Sequence, residues 1–370
     1  MIQSLMAGLN EKNMQAVVNK LNLNDYYFPT IFPLKQTKFL TWKTLNTKIG
    51  LHIAADLISR GARLSQKARN VVKRIEGDIP KIGIERKMNE EEMTEYQQLL
   101  ALASTDADQI ALVEAWANDL DFCWTGLASR IEWMALFQMS HAGKLRVTSE
   151  NNAHVVSQHD ADYQIPAVNK CGATVAWSNP STAKPFSVDL KNLIKESRKN
   201  QYGGIRLKHV WLNTKTFNDL VETEECQKLC ASYVSNALNL QTIPGITEVN
   251  ALAQKLPYLY GLTFHVIDQD ITVEFEDGTQ SSGNPFADNV LCLTENTVLG
   301  NTWWVTPVGM NIKGSAAIKV MREFGMLKKF ANEDPEEEVT QGIANAFPGW
   351  SGAERAFFLD TKNTSWSEGA

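Results

Sequence analysis

Residues 105–143 read TDADQIALVEAWANDLDFCWTGLASRIEWMALFQMSHAG. Val113, Trp116, Leu120, Cys123, Trp124, Leu127, Ile131 and Met134 recur at steps of three and four, the period of one helix face. Thr105 and Asp108 form a capping-box-like start, and Gly143 is a stop signal. The spacing predicts a helix over 106–141. At 1.5 Å per residue such a helix is on the order of 50 Å long, more than the diameter of a small domain. It is either a beam across an elongated subunit or a buried helix in a compact body.

Upstream, residues 35–50 alternate Phe39, Thr41, Lys43, Leu45, Thr47 and Ile49 with Leu40, Trp42 and Thr44, a β-branched and aromatic pattern that predicts a strand. A polar, basic stretch follows Ser59-Arg60-Gly61. Gly77-Asp78-Ile79-Pro80 then punctuates the chain, and 81–86 reads as another short strand. The excursion is poor in apolar residues, so it is read as an extended hairpin that finds its packing elsewhere. From Lys35 to Lys87 there are thirteen Lys/Arg against four Asp/Glu, about +9, whereas the whole chain is −6. Such asymmetry marks an interaction segment, for nucleic acid or for the acidic remainder of a neighbouring copy; the plainer reading is a solvated basic face. Before it, Leu5, Met6, Leu9, Met14, Val17, Val18 and Leu21 predict a short amphipathic helix. Met1–Asn24 is too polar for a signal-peptide core.

Downstream, 144–148 reads as a strand, 149–168 as loop and 187–200 as a helix, with Gly203-Gly204 a boundary. Strands at 209–212, 262–267 and 289–293, helices at 214–233 and 249–256, and a hairpin around Asp277-Gly278 make an α/β unit of about 205–300. Residues 301–370 carry Trp303 and Trp304, an acidic run at 333–338 and a strand at 356–359.

With 370 residues, 44% hydrophobic and 21% charged, the composition is globular. An acidic balance argues against a dedicated DNA binder. No apolar run approaches the ~20 residues of a membrane span. The five cysteines, Cys123, Cys171, Cys226, Cys230 and Cys292, read as free thiols. Cys226 and Cys230 share a helix face, as two small buried residues or as half of a metal site. His154, His159, Asp160 and Asp162 are the one ligand-like cluster, in a polar stretch where such residues also form turns. His265 alternates with apolar residues and reads as a core histidine. Trp303-Trp304 reads as packing before it reads as a stacking platform. P-loop, Gly-rich dinucleotide, His-Glu-x-x-His and Gly-x-Ser-x-Gly motifs are absent from the sequence. No catalytic, cofactor-binding or metal residue is assigned, and the chain is read as a non-enzyme.

In this order, several segments resemble the major capsid proteins of tailed bacteriophages of the lambda type, the major capsid protein E family with the Hong Kong 97 capsid fold. They are Tyr27-Phe-Pro29 to Leu45; Ala54-Ala-Asp-Leu-Ile-Ser-Arg-Gly61 leading to Asp78-Ile-Pro-Lys-Ile82; and Arg130-Ile-Glu-Trp-Met-Ala135 running into Ala142-Gly-Lys-Leu-Arg-Val147. They continue with His209-Val-Trp-Leu-Asn213, Tyr260-Gly-Leu-Thr-Phe264, Asn296-Thr-Val-Leu-Gly-Asn301 and Ala356-Phe-Phe-Leu-Asp360. The order and spacing of these segments over nearly the whole chain carry the likeness. The basic excursion lacks the Pro-Gly-rich tip of many relatives.

The resemblance implies an α+β fold with an N-terminal arm (1–34), an extended β-hairpin loop and its return (35–104), and a peripheral domain (105–204) with a spine helix (105–142). It further implies an axial domain (205–345) and a C-terminal strand (346–370) returning to the peripheral domain. It implies a structural head subunit that self-assembles into hexamers and pentamers and encloses double-stranded DNA without sequence-specific contact. Portal and scaffolding proteins would be partners, with room for a decoration protein, and no membrane is involved. The place of action would be the virion, and the host cytoplasm during assembly. Arg60, Arg63, Lys67, Arg69, Lys73, Arg74 and Trp42 are the candidate intersubunit contacts. The alternatives are an encapsulin-like compartment shell of the same fold, a nucleic-acid-binding protein using 35–87, and an enzyme with a site near His154–Asp162.

Overall fold

The computed structural model describes residues 2–46, 73–103, 105–152, 160–199, 204–231, 243–259, 261–275 and 277–367. The chain divides into two compact units. The first comprises 1–42, 77–135 and 301–349; the second comprises 43–76, 136–300 and 350–370.

The first unit is a sheet covered by a helix. Its strands are β1 (Leu34–Gln36), β4 (Lys81–Met88), β13 (Gly300–Val305), β14 (Ile318–Arg322), β15 (Gly325–Glu333) and β16 (Glu336–Trp350). The order is β1-β13-β16-β15-β14, with β4 also paired to β16. β16 spans roughly 50 Å at ~3.3 Å per residue, and the acidic run at 333–338 forms its turn from β15. β4 lies antiparallel along β16, from Met88 opposite Glu338 to Lys81 opposite Asn345. Helix α4 (Asp106–Ser140) closely matches the predicted helix. Its buried stripe begins at Leu112, and Val113 faces outward, because Leu112, Trp116 and Leu120 follow one another at i, i+4. Trp124 stacks on Phe324, centroids 4.8 Å apart. A Cβ at Gly126 would lie 2.5 Å from Ile84 Cδ1, and one at Gly342 would lie 3.0 Å from the Cys123 carbonyl oxygen. Glycine at these two positions lets helix and sheet approach closely.

One buried ion pair joins the two layers. Lys329 of β15 is fully buried, and its Nζ donates to Asp119 Oδ2 of α4 (3.1 Å) and to Thr340 Oγ1 of β16 (2.6 Å). Arg86 of β4 stands 3.5 Å from the other Asp119 oxygen. Removing one member strands the other charge away from water. Lys329→Met is therefore expected to lower unfolding free energy by about 3 kcal/mol, and adding Asp119→Leu is expected to recover most of it, as read by denaturant titration of both variants.

The N-terminal residues are fastened to this unit. Helix α1 (Glu11–Val18) is capped by the Asn10 side chain and buries Met14 and Val18. Ile2 bridges to Ala331, and Glu338 accepts from the Ser4 hydroxyl and the Leu5 N–H. Helix α2 (Phe28–Ile31) begins at a carboxylate: Glu132 of α4 accepts from Tyr27 N (2.9 Å) and Phe28 N (2.7 Å). Burial pushes the Glu132 carboxyl up to about 7 from its ordinary 4.5, against the two N–H groups that lower it. A carboxyl with a raised folded pKa contributes stability that is fully present below its unfolded value and lost as pH rises through the folded one. Between about pH 4.5 and 7, the wild type should lose about 3 kcal/mol at this group. Glu132→Gln should lack that loss, so the gap between their thermal stabilities narrows or inverts toward pH 7.5.

The second unit is a five-stranded sheet, β7 (Lys170–Gly172), β17 (Phe357–Asp360), β12 (Val290–Thr294), β8 (His209–Asn213) and β9 (Thr263–Ile267), in that order. β8 and β9 are parallel, as are β17 and β7; β12 runs antiparallel to both its neighbours. Helices α5 (Lys191–Lys199), α6 (Thr214–Glu222), α7 (Glu224–Cys230) and α8 (Ile246–Lys255) contribute to the core. Leu193, Leu220, Val249, Phe264, Leu291 and Phe357 lie in one buried cluster. Hairpin β10 (Ile271–Glu274) with β11 (Gln280–Gly283) turns at Asp277-Gly278, and β5 (Lys144–Leu145) pairs with β6 (Ala161–Asp162).

Several expectations need correction. The strand over 35–50 is two strands, β1 and β2 (Thr41–Asn46), because Phe39 N turns to the Thr37 hydroxyl; 47–50 lie outside the described residues. The strand at 144–148 ends at Leu145, and Val147 N donates to the Asp160 carboxylate. The helix over 187–200 opens with a π-helical turn at Pro185–Leu190, where Glu225 accepts from Phe186 N and Ser187 N. The helix over 214–233 is two, because the Thr223 hydroxyl bonds Leu220 O and Cys226 N and so ends one helix and caps the next. The grouping of 205–345 also differs from the strand pairing. Residues 301–349 belong to the first unit's sheet, whereas Phe357–Asp360 lies between β7 and β12 of the second.

Candidate assembly surface

β2 and β3 (Lys73–Asp78) form a two-stranded ladder at the two ends of the basic segment. Its base is set by one indole. Trp42 is 3% exposed and stacks on Phe347 of β16, centroids 5.1 Å apart and planes 12° from parallel. A Cβ on Gly77 would stand 2.8 Å from Trp42 Nε1, so the returning strand passes the indole only as glycine. Ile79 N closes the mouth on Leu40 O at 2.8 Å. From there β4 runs directly along β16, the longest strand of the first unit.

The sequence candidates fall in three groups. Arg60, Arg63, Lys67 and Arg69 lie outside the described residues. Lys73 and Arg74 lie in β3. Trp42 is buried, its ring stacked on Phe347. Trp303 lies in β13, and Lys35 Nζ sits 4.7 Å from its ring centroid.

The weighed chemical sites resolve into structural roles where they are described. Asp162 accepts from Gln164 N (2.7 Å), as turn residues do, while 153–159, with His154 and His159, lie outside the described residues. His265 is half-buried; its Nε2 is 3.0 Å from His209 Nδ1, and its ring stacks on Trp211. Burial, with the neighbouring His209, pushes the His265 imidazole down to about 4. Cys226 is buried and its thiol shift is raised by hydrogen bonding with Cys230. Among the described residues, no group of three or more His, Cys, Asp or Glu is placed to hold a metal. Among them, no helix is long and apolar enough to cross a membrane.

Sequence reasoning missed a set of outward apolar side chains. Leu99, Leu102 and Ile110 are exposed on and beside two helices, and Phe39, Leu40, Val308 and Ile312 on two loops. The available signal was the stretch from Asn89 to Ser129, which holds nine Asp/Glu and no Lys/Arg around an apolar Leu99-Leu-Ala-Leu102.

The family model described as phage major capsid protein E matches residues 12–317. The chain belongs to that family. Its members are structural capsid proteins, and this chain is accordingly a phage capsid subunit and a virion component. Two solved structures share its α+β Hong Kong 97-like fold. One is described as a prophage capsid protein of Escherichia coli CFT073, 13% identical, TM-score 0.56, covering 95% of this chain and 99% of that one. The other is a phage-related protein of Bordetella bronchiseptica RB50, 10% identical, TM-score 0.52, covering 94% and 95%. No curated protein sequence matches the chain.

The finger base gives a direct test. Gly77→Ala should force the Trp42 indole off Phe347 and lower stability by about 1–3 kcal/mol, whereas Trp42→Leu in the same chain should make the added methyl nearly harmless. Thermal melting of the three variants measures both.

Proposed function

We propose that this capsid protein is the head-shell subunit that self-assembles into hexamers and pentamers and closes around the double-stranded DNA of a tailed phage. The observation that carries the reading is the family match over 12–317 together with the fold shared along the whole chain. Residues 35–104 act as the extended finger. A basic finger poor in apolar residues gains stability only when laid on a partner, and the net −15 of the remaining chain supplies acidic surface on a second copy. Arg60, Arg63, Lys67, Arg69, Lys73 and Arg74 are the finger's contact groups in this reading. One such ion pair is weak, but the contact repeats at every position of a closed shell. A portal and a separate scaffolding protein complete assembly in the host cytoplasm, and a decoration protein is compatible with the shell. The DNA is enclosed without sequence-specific contact.

Negative-stain electron microscopy of the purified chain, with and without the scaffold candidate encoded beside it, tests this. Rings, tubes or closed shells are expected. A monomer under every condition, with DNA affinity falling steeply with salt, would overturn the reading in favour of a nucleic-acid binder.

A further inference from the structure

Two exposed apolar patches of the first unit carry opposite charge. The first lies at one end of the β1–β13 pair. These strands are parallel, with Gln36 opposite Trp304, Thr37 N donating to Trp304 O and Gln36 Nε2 donating to Thr306 Oγ1 (3.2 Å). The chain segments that follow, 37–40 and 305–312, therefore leave the sheet side by side. Phe39 (71%), Leu40, Val308 (73%) and Ile312 are exposed there. The second loop is preformed: Lys319 Nζ donates to Gly309 O (2.8 Å) and Ile312 O (3.2 Å). Lys38 and Lys313 are exposed beside these residues, and neither 34–46 nor 297–322 contains an Asp or Glu.

The second patch lies on α3 (Glu90–Leu102) and the start of α4. α3 buries Met93 and Tyr96, and Tyr96 OH accepts from Ala7 N. The same stripe continues at i+3 and i+4 to Leu99 and Leu100, which are exposed. Leu102 (77%) at the end of α3, and Ile110 (58%) and Val113 in the first turns of α4, are exposed as well. Glu95 stands one turn before Leu99, Glu114 one turn after Ile110, and both are exposed. No basic side chain occurs between Asn89 and Ser129 to neutralise them.

We infer that the Lys38/Lys313 patch of one subunit docks on the Glu95/Glu114 patch of a second copy of this chain. Each patch has what the other lacks: both are apolar at the centre, and their charges are of opposite sign. Two different surfaces of one chain that fit each other make a head-to-tail contact, and a head-to-tail contact whose rotation closes makes a ring. Charge fixes the partner and the register, and the leucines supply the buried area. The finger is a separate contact. This inference rests on the shell reading above and names one of its interfaces.

The test reverses charge in the full-length chain. Lys38→Glu with Lys313→Glu, and separately Glu95→Lys with Glu114→Lys, should each lower the assembled fraction by about tenfold or more in sedimentation, with unchanged far-UV circular dichroism and melting. All four substitutions in one chain should restore assembly. Reversals that leave assembly as in wild type overturn the inference. So does a four-fold variant that folds but stays unassembled. Rescue of Glu95→Lys/Glu114→Lys by Arg60→Glu/Arg63→Glu in place of the loop lysines also overturns it, by assigning the acidic patch to the finger. In all three cases the wild type still forms shells, so the shell reading stands. A wild type that never assembles overturns both.

Discussion

The first unit depends on one burial problem. Helix α4 presents Trp116, Leu120, Cys123, Trp124, Leu127 and Ile131 along its buried side, and only a broad flat surface can cover so long a stripe. β4, β16 and β15 provide it, with glycines where the layers come closest. The ion pair of Lys329 with Asp119 is a buried charged link within this contact. A buried pair of this kind adds little net stability but penalises any sliding that separates its members. It therefore fixes which turn of the helix faces which strand. Arg86 extends the same link to β4, the strand that returns from the finger.

The β2–β3 ladder is anchored in the first unit's layer. Trp42 and Gly77 set its base, and β4 carries it into the sheet. Glu132 plays a similar part for the arm, holding the first turn of α2 with two charge-assisted hydrogen bonds. Both segments that leave the body are fixed at their roots to the same helix-and-sheet layer. A structural capsid protein can be demanding about geometry, and here the demand falls on these roots.

Local signals in the sequence located most elements and misplaced their connections. The α4 period, the Asp277-Gly278 turn and the strands at 209–213, 263–267 and 290–294 were readable because each depends on neighbours within a few residues. The split at Thr223 was hidden, since one hydroxyl outweighed a continuous apolar stripe. The membership of β13 to β16 was not readable from local pattern: pairing of Glu338 with Met88 is a long-range choice that periodicity does not encode, and the return of the C-terminal strand toward 105–204 was implied only by the family resemblance. The assembly candidates divide the same way. Charge asymmetry pointed to the finger, but Trp42, an aromatic in a basic stretch, is a core residue because Phe347 lies far away in sequence and next to it in space. The exposed leucines of α3 continue the spacing of its buried Met93 and Tyr96, and the structure shows that nothing in the described chain covers them.

Both sheets are closed by strands distant in sequence from those they complete. In the second unit, β17 lies between β7 and β12, so until residue 360 has left the ribosome the edge of β12 is open and the buried cluster lacks Phe357 and Leu359. In the first, β1 and β4 wait for β13 and β16. A chain interrupted before residue 357 therefore leaves the second unit unfinished, and one interrupted before residue 301 leaves both unfinished. The order of synthesis therefore leaves the second unit's sheet as the last layer of the chain to close.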